Sequence, residues 1–290
     1  MEKIKIMTDS ASDISAVDEK RYGISILPYL VTLGDRTYTS RVDFDNEKFY
    51  GMMAQYDGIP MTSQITPYEF QEIYLREAKE GVTDLILVLI NSKGSATYDN
   101  SLMAINLFFE EYPEYRDKIR IHSIDGMGYN ALYGVPVVQA AKMREEGASA
   151  EKIVGYLEEI LPRRQIYFGI YDLKYAAKSG RIPTAAALLG TTLKIKPVMK
   201  IFDRSITTAA KCRGEHSLIP KIAEMSIVDM EPGQPYEVLY GCDPVCRDEL
   251  QEVMIGHLGY GPSAVYQIGA AVAANSGPRA VGISFIRKKE

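Results

Sequence analysis

Cysteine and histidine are scarce in this chain of 290 residues, with three of each. Cys212, Cys242 and Cys246 are too few for a disulfide framework, so a reducing, cytoplasmic setting is expected. His122, His216 and His257 are scattered, and Cys242-x-x-x-Cys246 has no partners at ligand spacing, so no metal site is expected. His122 sits in a strand-like run and reads as a packed side chain rather than a base. No uninterrupted apolar run approaches the roughly 20 residues of a membrane-spanning helix, and no leader-like apolar region follows Met1, which argues against stable membrane insertion. The Gly-x-Ser-x-Gly and Gly-x-x-x-x-Gly-Lys-Ser/Thr signatures are absent, and Gly259-x-Gly261, followed by Pro262, reads as a turn. With 33 basic against 38 acidic residues, the formal charge of −5 argues against a nucleic-acid partner. There is no internal repeat and no low-complexity tract.

What is present suits a two-domain α/β protein. Hydrophobic residues make up 46% and charged residues 24%, enough for a substantial core. The first half alternates strand and helix signals, with strands expected at 3–8, 24–33, 85–90 and 119–123. Helices are expected at 46–55, 97–110, 131–144 and 150–161. Gly34-Asp35 predicts a hairpin, and Thr66-Pro67-x-Glu69 a capped helix start. The continuous apolar run at 85–90 fits a central parallel strand buried on both faces. In the second half, 165–171, 193–202 and 206–211 read as strands without intervening helices of full length, which implies a mixed or antiparallel sheet. A short helix at 173–178 and another from Pro183 to Gly190 interrupt them. Helices at 217–230 and 248–258 and strands at 236–240, 264–268 and 281–286 follow, with Ala274–Pro278 read as a turn between the last two strands. The expected domains are 1–161, an α/β/α layer domain, and 162–290, an α+β domain, with the ligand between them.

Two hydroxyl-rich segments dominate the chemistry: Met61-Thr62-Ser63-Gln64-Ile65-Thr66-Pro67 and Ile90-Asn91-Ser92-Lys93-Gly94-Ser95-Ala96-Thr97. The second follows the apolar run, where an open α/β sheet places its ligands, and Ser95 is expected at a helix N-terminus that attracts anions. No catalytic base adjoins either segment, which suits capture of an anionic head group better than covalent chemistry. Asp9, Asp13 and Asp125 could form an acid–base or metal cluster for phosphoryl or acyl transfer, but capping and turn roles explain them equally. Arg181, held between Gly180 and Pro183, could meet a carboxylate or phosphate, or form a salt bridge. Asn275 and Ser276 lie in the turn expected before the last strand.

Taken in order, these segments resemble the DegV family of bacterial fatty-acid-binding proteins. The matches are Thr8-Asp9-Ser10-Ala11-Ser12-Asp13-Ile14, Thr62-Ser63-Gln64-x-x-Pro67, Ser92-x-x-Ser95-x-Thr97-Tyr98, Asp125, Gly180-Arg181-Ile182, Leu193-Lys194-Ile195-Lys196-Pro197 and Ser276-Gly277-Pro278. The resemblance implies two α/β domains clasping one long-chain fatty acid, its carboxylate held by Thr62 and Ser95 with Ser63 and Ala96 beside them. It implies no cofactor, and a carrier without a complete active site of its own. A separate fatty acid kinase would make the acyl phosphate for phospholipid metabolism. Arg181, Asn275 and Ser276 would then lie near the head group or the partner, and the helix at 184–189 is a candidate wall for the tail. Three departures stand out: Gly94 and Ala96 flank Ser95 where the family has leucine and glycine, Asn275 replaces a histidine, and Arg279 replaces a glycine. Asparagine can hydrogen-bond but cannot titrate, so a second expectation is a lipid-binding paralogue that lacks a kinase partner.

Overall fold

A computed structural model of the chain describes residues 2–182 and 195–289. Strands β1 (Ile4–Asp9), β2 (Ser25–Leu27), β6 (Asp84–Leu89) and β7 (Arg120–Asp125) form a four-stranded sheet in the order β2-β1-β6-β7, and every pairing in it is parallel. All six residues of β6 are buried, as a central strand between helical layers requires. Each of its fully buried aliphatic side chains contributes roughly 1.5–3 kcal/mol. Helices α5 (Ala131–Glu145) and α6 (Ala150–Ile160) pack on this sheet and on each other, while α3 (Pro67–Lys79) packs along α4 (Thr97–Glu111). At the start of α3, Thr66 and Glu69 form the expected capping box, with Pro67 in the first turn. Helix α2 spans Asn46–Gln55, as its periodicity predicts.

Part of this half escaped local pattern. Pro28 has no N–H for a ladder, and the apolar run at 24–33 divides there into β2 and β3 (Leu30–Leu33). Strand β3 pairs antiparallel with β4 (Arg36–Thr39) across the expected hairpin and with β5 (Met61–Ser63), a strand of three residues. Thr62 therefore sits on a strand, opposite Val31, rather than on a loop. A short helix α1 (Ala16–Arg21), with Ser15 as its N-cap, was also not foreseen.

The second sheet has the order β10-β9-β8-β13-β11-β12, built from β8 (Arg164–Ile170), β9 (Ile195–Phe202), β10 (Ser205–Arg213), β11 (Tyr236–Tyr240), β12 (Ala264–Gln267) and β13 (Ala280–Ile286). Only β11 and β12 run parallel, so the sheet is mixed. Helices α8 (Leu218–Asp229) and α9 (Pro244–Leu258) cover one face. The strand period of two sends Tyr167, Val198, Val238 and Ile283 into that layer. It sends Ile166, Phe168, Ile170, Met199 and Leu239 to the opposite face, where they join Val31, Phe49, Ala131 and Leu132 in a core shared by both halves. Helix α7 (Leu173–Ser179) ends at Gly180, whose φ of 70° is the left-handed cap that glycine favours.

Two expectations change here. Helix α9 starts at Pro244, capped by Asp243, four residues ahead of the expected 248. Residues read as a turn before the last strand instead form helix α10 (Ala270–Ser276), because four alanines favour a helix until Gly277, at φ 83°, ends it. The helix expected from Pro183 to Gly190, with the candidate tail wall at 184–189, lies outside the described residues. Among the described residues no helix is long and apolar enough to cross a membrane.

Candidate functional site

Between the two sheets lies a cavity of about 460 Å³, within the usual range for small-molecule sites. Its apolar walls are Ile166, Phe168, Ile201, Ile206 and Leu239 of the mixed sheet, with Ile90, Ile268, Ala271 and Val272. Its polar lining includes Thr62, Ser63, Gln64, Ser95, Arg181, Asn275 and Ser276, together with Tyr29 and Tyr129. The residues singled out from sequence thus gather at one cavity. Ala96 does not line it and adjoins the site through its neighbour Ser95. Asp9 and Asp125 do not line the cavity.

The two hydroxyl segments meet through Thr97. Ser95 precedes α4 by two residues and is not its N-cap; that position falls on Ala96, which offers no side-chain bond. Instead, the Ser95 hydroxyl lies 3.0 Å from Thr97 Oγ1 and accepts the Thr97 N–H at 3.3 Å. Thr97 Oγ1 also accepts the Ile65 N–H at 3.3 Å, tying the Thr62 segment to the Ser95 segment. The hydroxyls of Thr62 and Ser63 have no hydrogen-bond partner among the described residues, although both residues line the cavity. They are open donors in its lining.

The loop before α4 is fixed from behind. Asp125 accepts from Ser92 Oγ at 2.6 Å, the Ser92 N–H at 3.2 Å and the Met127 N–H at 2.8 Å. Its fourth partner comes from the other half of the molecule: Arg204 Nε donates at 2.7 Å, and the Arg204 carbonyl accepts Asn91 Nδ2 at 2.9 Å. Asp203 and Arg204 form the β9–β10 turn with φ of 45° and 62°, an unfavourable region for side chains of this size. The bonds to Asp125 and Asn91 offset that strain and close the hairpin over the loop. Gly94 has a distinct reason: a Cβ there would lie 2.0 Å from the Tyr129 hydroxyl. Tyr129 occupies the space that the leucine of the DegV pattern would claim.

Asp9 is buried and caps the turn after β1, accepting from Ile90 N–H at 2.6 Å, Ala11 N–H at 3.0 Å and the Tyr133 hydroxyl at 2.6 Å. Burial pushes it up to about 6 against these donors. Asp13 makes a different contact, accepting Asn130 Nδ2 at 2.5 Å and lying close against the Gly269 backbone across the junction of the two halves. Both aspartates serve structural bonds, and Asp125 does the same. His122 approaches Asp84 Oδ1 at 3.3 Å on β7, away from the cavity.

Arg181 is exposed at the cavity and donates from Nη1 to its neighbour's carbonyl, Ser179 O, at 2.9 Å. It makes no ion pair among the described residues, so its charge is open to a ligand or partner. Asn275 Nδ2 donates to Ala271 O at 3.0 Å within α10, which leaves its carbonyl oxygen as the free end. Ser276 Oγ donates to Gly277 O at 3.2 Å. Pattern reading did not mark Tyr29 or Tyr129, because nothing local distinguishes them from core tyrosines. Among the described residues, no three His, Cys, Asp or Glu side chains come together as a metal-binding set.

A parallel α/β layer domain and a mixed-sheet domain, joined over a largely apolar cavity whose lining includes several hydroxyls, define a two-domain α/β protein with a candidate site between its sheets. The chain belongs to the DegV family: the family model described as "Uncharacterised protein, DegV family" matches residues 3–288. A DegV domain-containing protein of Staphylococcus aureus is 30% identical over 293 residues, covering 99% of this chain and 98% of that protein. A DegV family protein of Thermus thermophilus, whose solved structure is described by its fatty acid binding, superposes with a TM-score of 0.84 at 26% identity, covering 99% of this chain and 100% of that one. A stearic-acid-binding protein of Eubacterium ventriosum shares the fold at a TM-score of 0.86 and 24% identity, over 99% of both chains.

Proposed function

We propose that this chain binds a long-chain fatty acid in the cavity between the sheets and presents its carboxylate to a separate kinase for acyl-phosphate formation. The observation that carries the reading is the make-up of that cavity, with aliphatic side chains of the mixed sheet beside the unpaired Thr62 and Ser63 hydroxyls and the Ser95 hydroxyl. Thr62 and Ser95 are the carboxylate ligands, with Ser63 beside Thr62 and the Ala96 backbone beside Ser95. Residues 1–161 form the head-group domain and 162–290 the domain that closes over the tail. Arg181, Asn275 and Ser276 border the head group and the surface a kinase would approach. The protein is a cytoplasmic carrier, with the chemistry left to its partner.

The energetics support a lipid. Burial is worth about 0.8 kcal/mol per methylene, so a tail of about 16 carbons offers on the order of 10 kcal/mol before association costs. The head group then needs only donors to replace water. Protein purified from cells should release fatty acid on denaturing extraction, read by mass spectrometry; an empty protein that takes up no fatty acid of any length would refute the proposal. Thr62→Ala with Ser95→Ala should weaken binding of added fatty acid by roughly 1–3 kcal/mol, measured by calorimetry on delipidated protein. Unchanged affinity would remove these two residues from the head-group site.

Asn275 favours one variant of this reading, a lipid-binding paralogue without a kinase partner, since its amide is tied to Ala271 and cannot exchange a proton. Reconstitution with a fatty acid kinase and ATP separates the two: bound lipid with no acyl phosphate supports the paralogue.

A further inference from the structure

Thr97 is fully buried behind the cavity wall, yet it touches both hydroxyl segments. A threonine oxygen has two lone pairs and one proton. One lone pair takes the Tyr29 hydroxyl proton at 3.0 Å and the other takes the Ile65 N–H at 3.3 Å. With both lone pairs engaged, the Thr97 proton is directed to the neighbouring hydroxyl oxygen, Ser95 Oγ at 3.0 Å, as long as Tyr29 donates to Thr97 rather than to the nearby Asp9 carboxylate. Ser95 Oγ also accepts the Thr97 N–H, so it is already supplied with donors. The remaining proton of the cluster is that of Ser95 itself. It can return to the Tyr29 oxygen, which lies in the same cluster, or turn into the cavity.

We infer that Thr97 is a positioning residue that directs the Ser95 proton into the cavity, so that the site favours an ionised carboxylate over a neutral head group; the inference rests on the fatty-acid reading given above. Three chemical consequences follow from the arrangement. A hydroxyl that accepts from its neighbours is a stronger donor outward, because chains of hydrogen bonds polarise one another. A carboxylate, which only accepts, can take protons from the Thr62, Ser63 and Ser95 hydroxyls of the lining at once. A primary alcohol brings one oxygen where a carboxylate brings two, and it carries no charge, so it engages fewer of those donors and gains less from each.

The test compares palmitic acid with hexadecanol on delipidated full-length protein. Wild type should prefer the acid. Thr97→Val keeps the shape and removes the oxygen, and should lower acid affinity about tenfold or more while changing alcohol affinity less than about twofold. Thr97→Ser should restore the preference. In the Thr62→Ala, Ser95→Ala background, Thr97→Val should have little further effect on acid binding, because the residues it positions are already gone. Equal losses for acid and alcohol, or an undiminished loss in that background, would overturn the inference and leave Thr97 a packing residue. If Thr97→Val does not fold, Tyr29→Phe supplies the same comparison, since it removes the proton that commits the Thr97 oxygen; an unchanged acid-to-alcohol ratio there counts equally against it. Wild type that binds neither ligand would refute the fatty-acid reading itself, whereas wild type that discriminates with Thr97→Val unchanged would refute the relay alone.

Discussion

Relative to Asp13→Asn, the melting temperature of this protein is expected to fall as pH rises from about 4 to about 7. Desolvation is the main cause that pushes Asp13 up to about 7 from an ordinary 3.8. The groups facing it are the Gly269 N–H, the Asn130 amide and the Arg41 guanidinium, which favour the charge, and Asp9, which opposes it. Between those two values the folded chain keeps the Asp13 proton that the unfolded chain has lost. The folded state therefore binds more protons, and its stability drops until pH has climbed through the folded value. At 1.36 kcal/mol per unit, a rise of about three units corresponds to at most about 4 kcal/mol. Asp13 also borders an outer cleft beside Arg41 and Asn46, and water there reduces the penalty. The neutral amide of the variant resembles the protonated acid, so the two proteins should melt most nearly together at the acid end of the range, with the variant the more stable at the alkaline end. Calorimetry across that range decides it; a wild-type melting temperature that rises with pH relative to the variant would show that the donors outweigh burial.

Asp13 also shows where sequence reading ends. Its motif was visible, but its partner Gly269 lies in the other half of the chain, and a Cβ at Gly269 would come within 2.2 Å of the Asp13 carboxylate. No local pattern encodes that approach. The capping box at Thr66, the buried strand β6 and the β9–β10 hairpin were legible because their determinants lie within a few residues of one another. Strand β5 was not, since its three residues owe their conformation to pairing with β3. Helix α10 departs from the turn expected there: Asn275, Ser276, Gly277 and Pro278 signal a turn, while the four alanines ahead of them favour a helix. The two hydroxyl-rich segments stood out from their surroundings, and the resemblance to the DegV family singled out Thr62 and Ser95 within them. The hydroxyl network through Tyr29 and Thr97, by contrast, exists only after residues 68 positions apart are folded together.

The departures from the DegV pattern have local compensations. Gly94 admits Tyr129, and Arg279 finds its own partners: its guanidinium lies 4.3 Å from the centroid of the Tyr171 ring, with Nε donating to Asp243 at 3.1 Å and Nη1 paired with Glu215 at 3.3 Å. The added bulk and charge are taken up on the surface beside α7 and do not reach the cavity lining. Asn275, by contrast, lies in the lining and has no compensating titratable neighbour on α10. Under the proposed function, asparagine at this position would bear on the partner step rather than on holding the lipid.

Glu237→Ala is expected to destabilise the protein by about 3–5 kcal/mol, the cost of leaving a buried charge without its partner. Arg164 and Glu237 form an ion pair with 3% and 1% of their side-chain surfaces exposed. Arg164 Nη2 also donates to Ser284 Oγ at 2.7 Å, while Arg164 Nε has no partner. The pair sits on the cavity-facing side of the mixed sheet: Arg164 precedes Ile166 and Phe168 by two and four residues on β8, and Glu237 precedes Leu239 by two on β11. Removing the carboxylate leaves a guanidinium under an aliphatic wall, where it must draw in water or shift the strands that carry that wall. The double change Arg164→Met with Glu237→Leu removes both charges at similar volume and should be near neutral or stabilising. Denaturant unfolding of the two single variants and the double resolves this, because only an ion pair predicts costly singles with an inexpensive double. If the double variant loses as much as the singles combined, the positions matter for packing, and the ion pair is not what holds this edge of the cavity wall. If it recovers stability, the pair's value lies in keeping the sheet register that aligns Ile166, Phe168 and Leu239. Register is then what the double variant should be checked for, through its fatty-acid affinity.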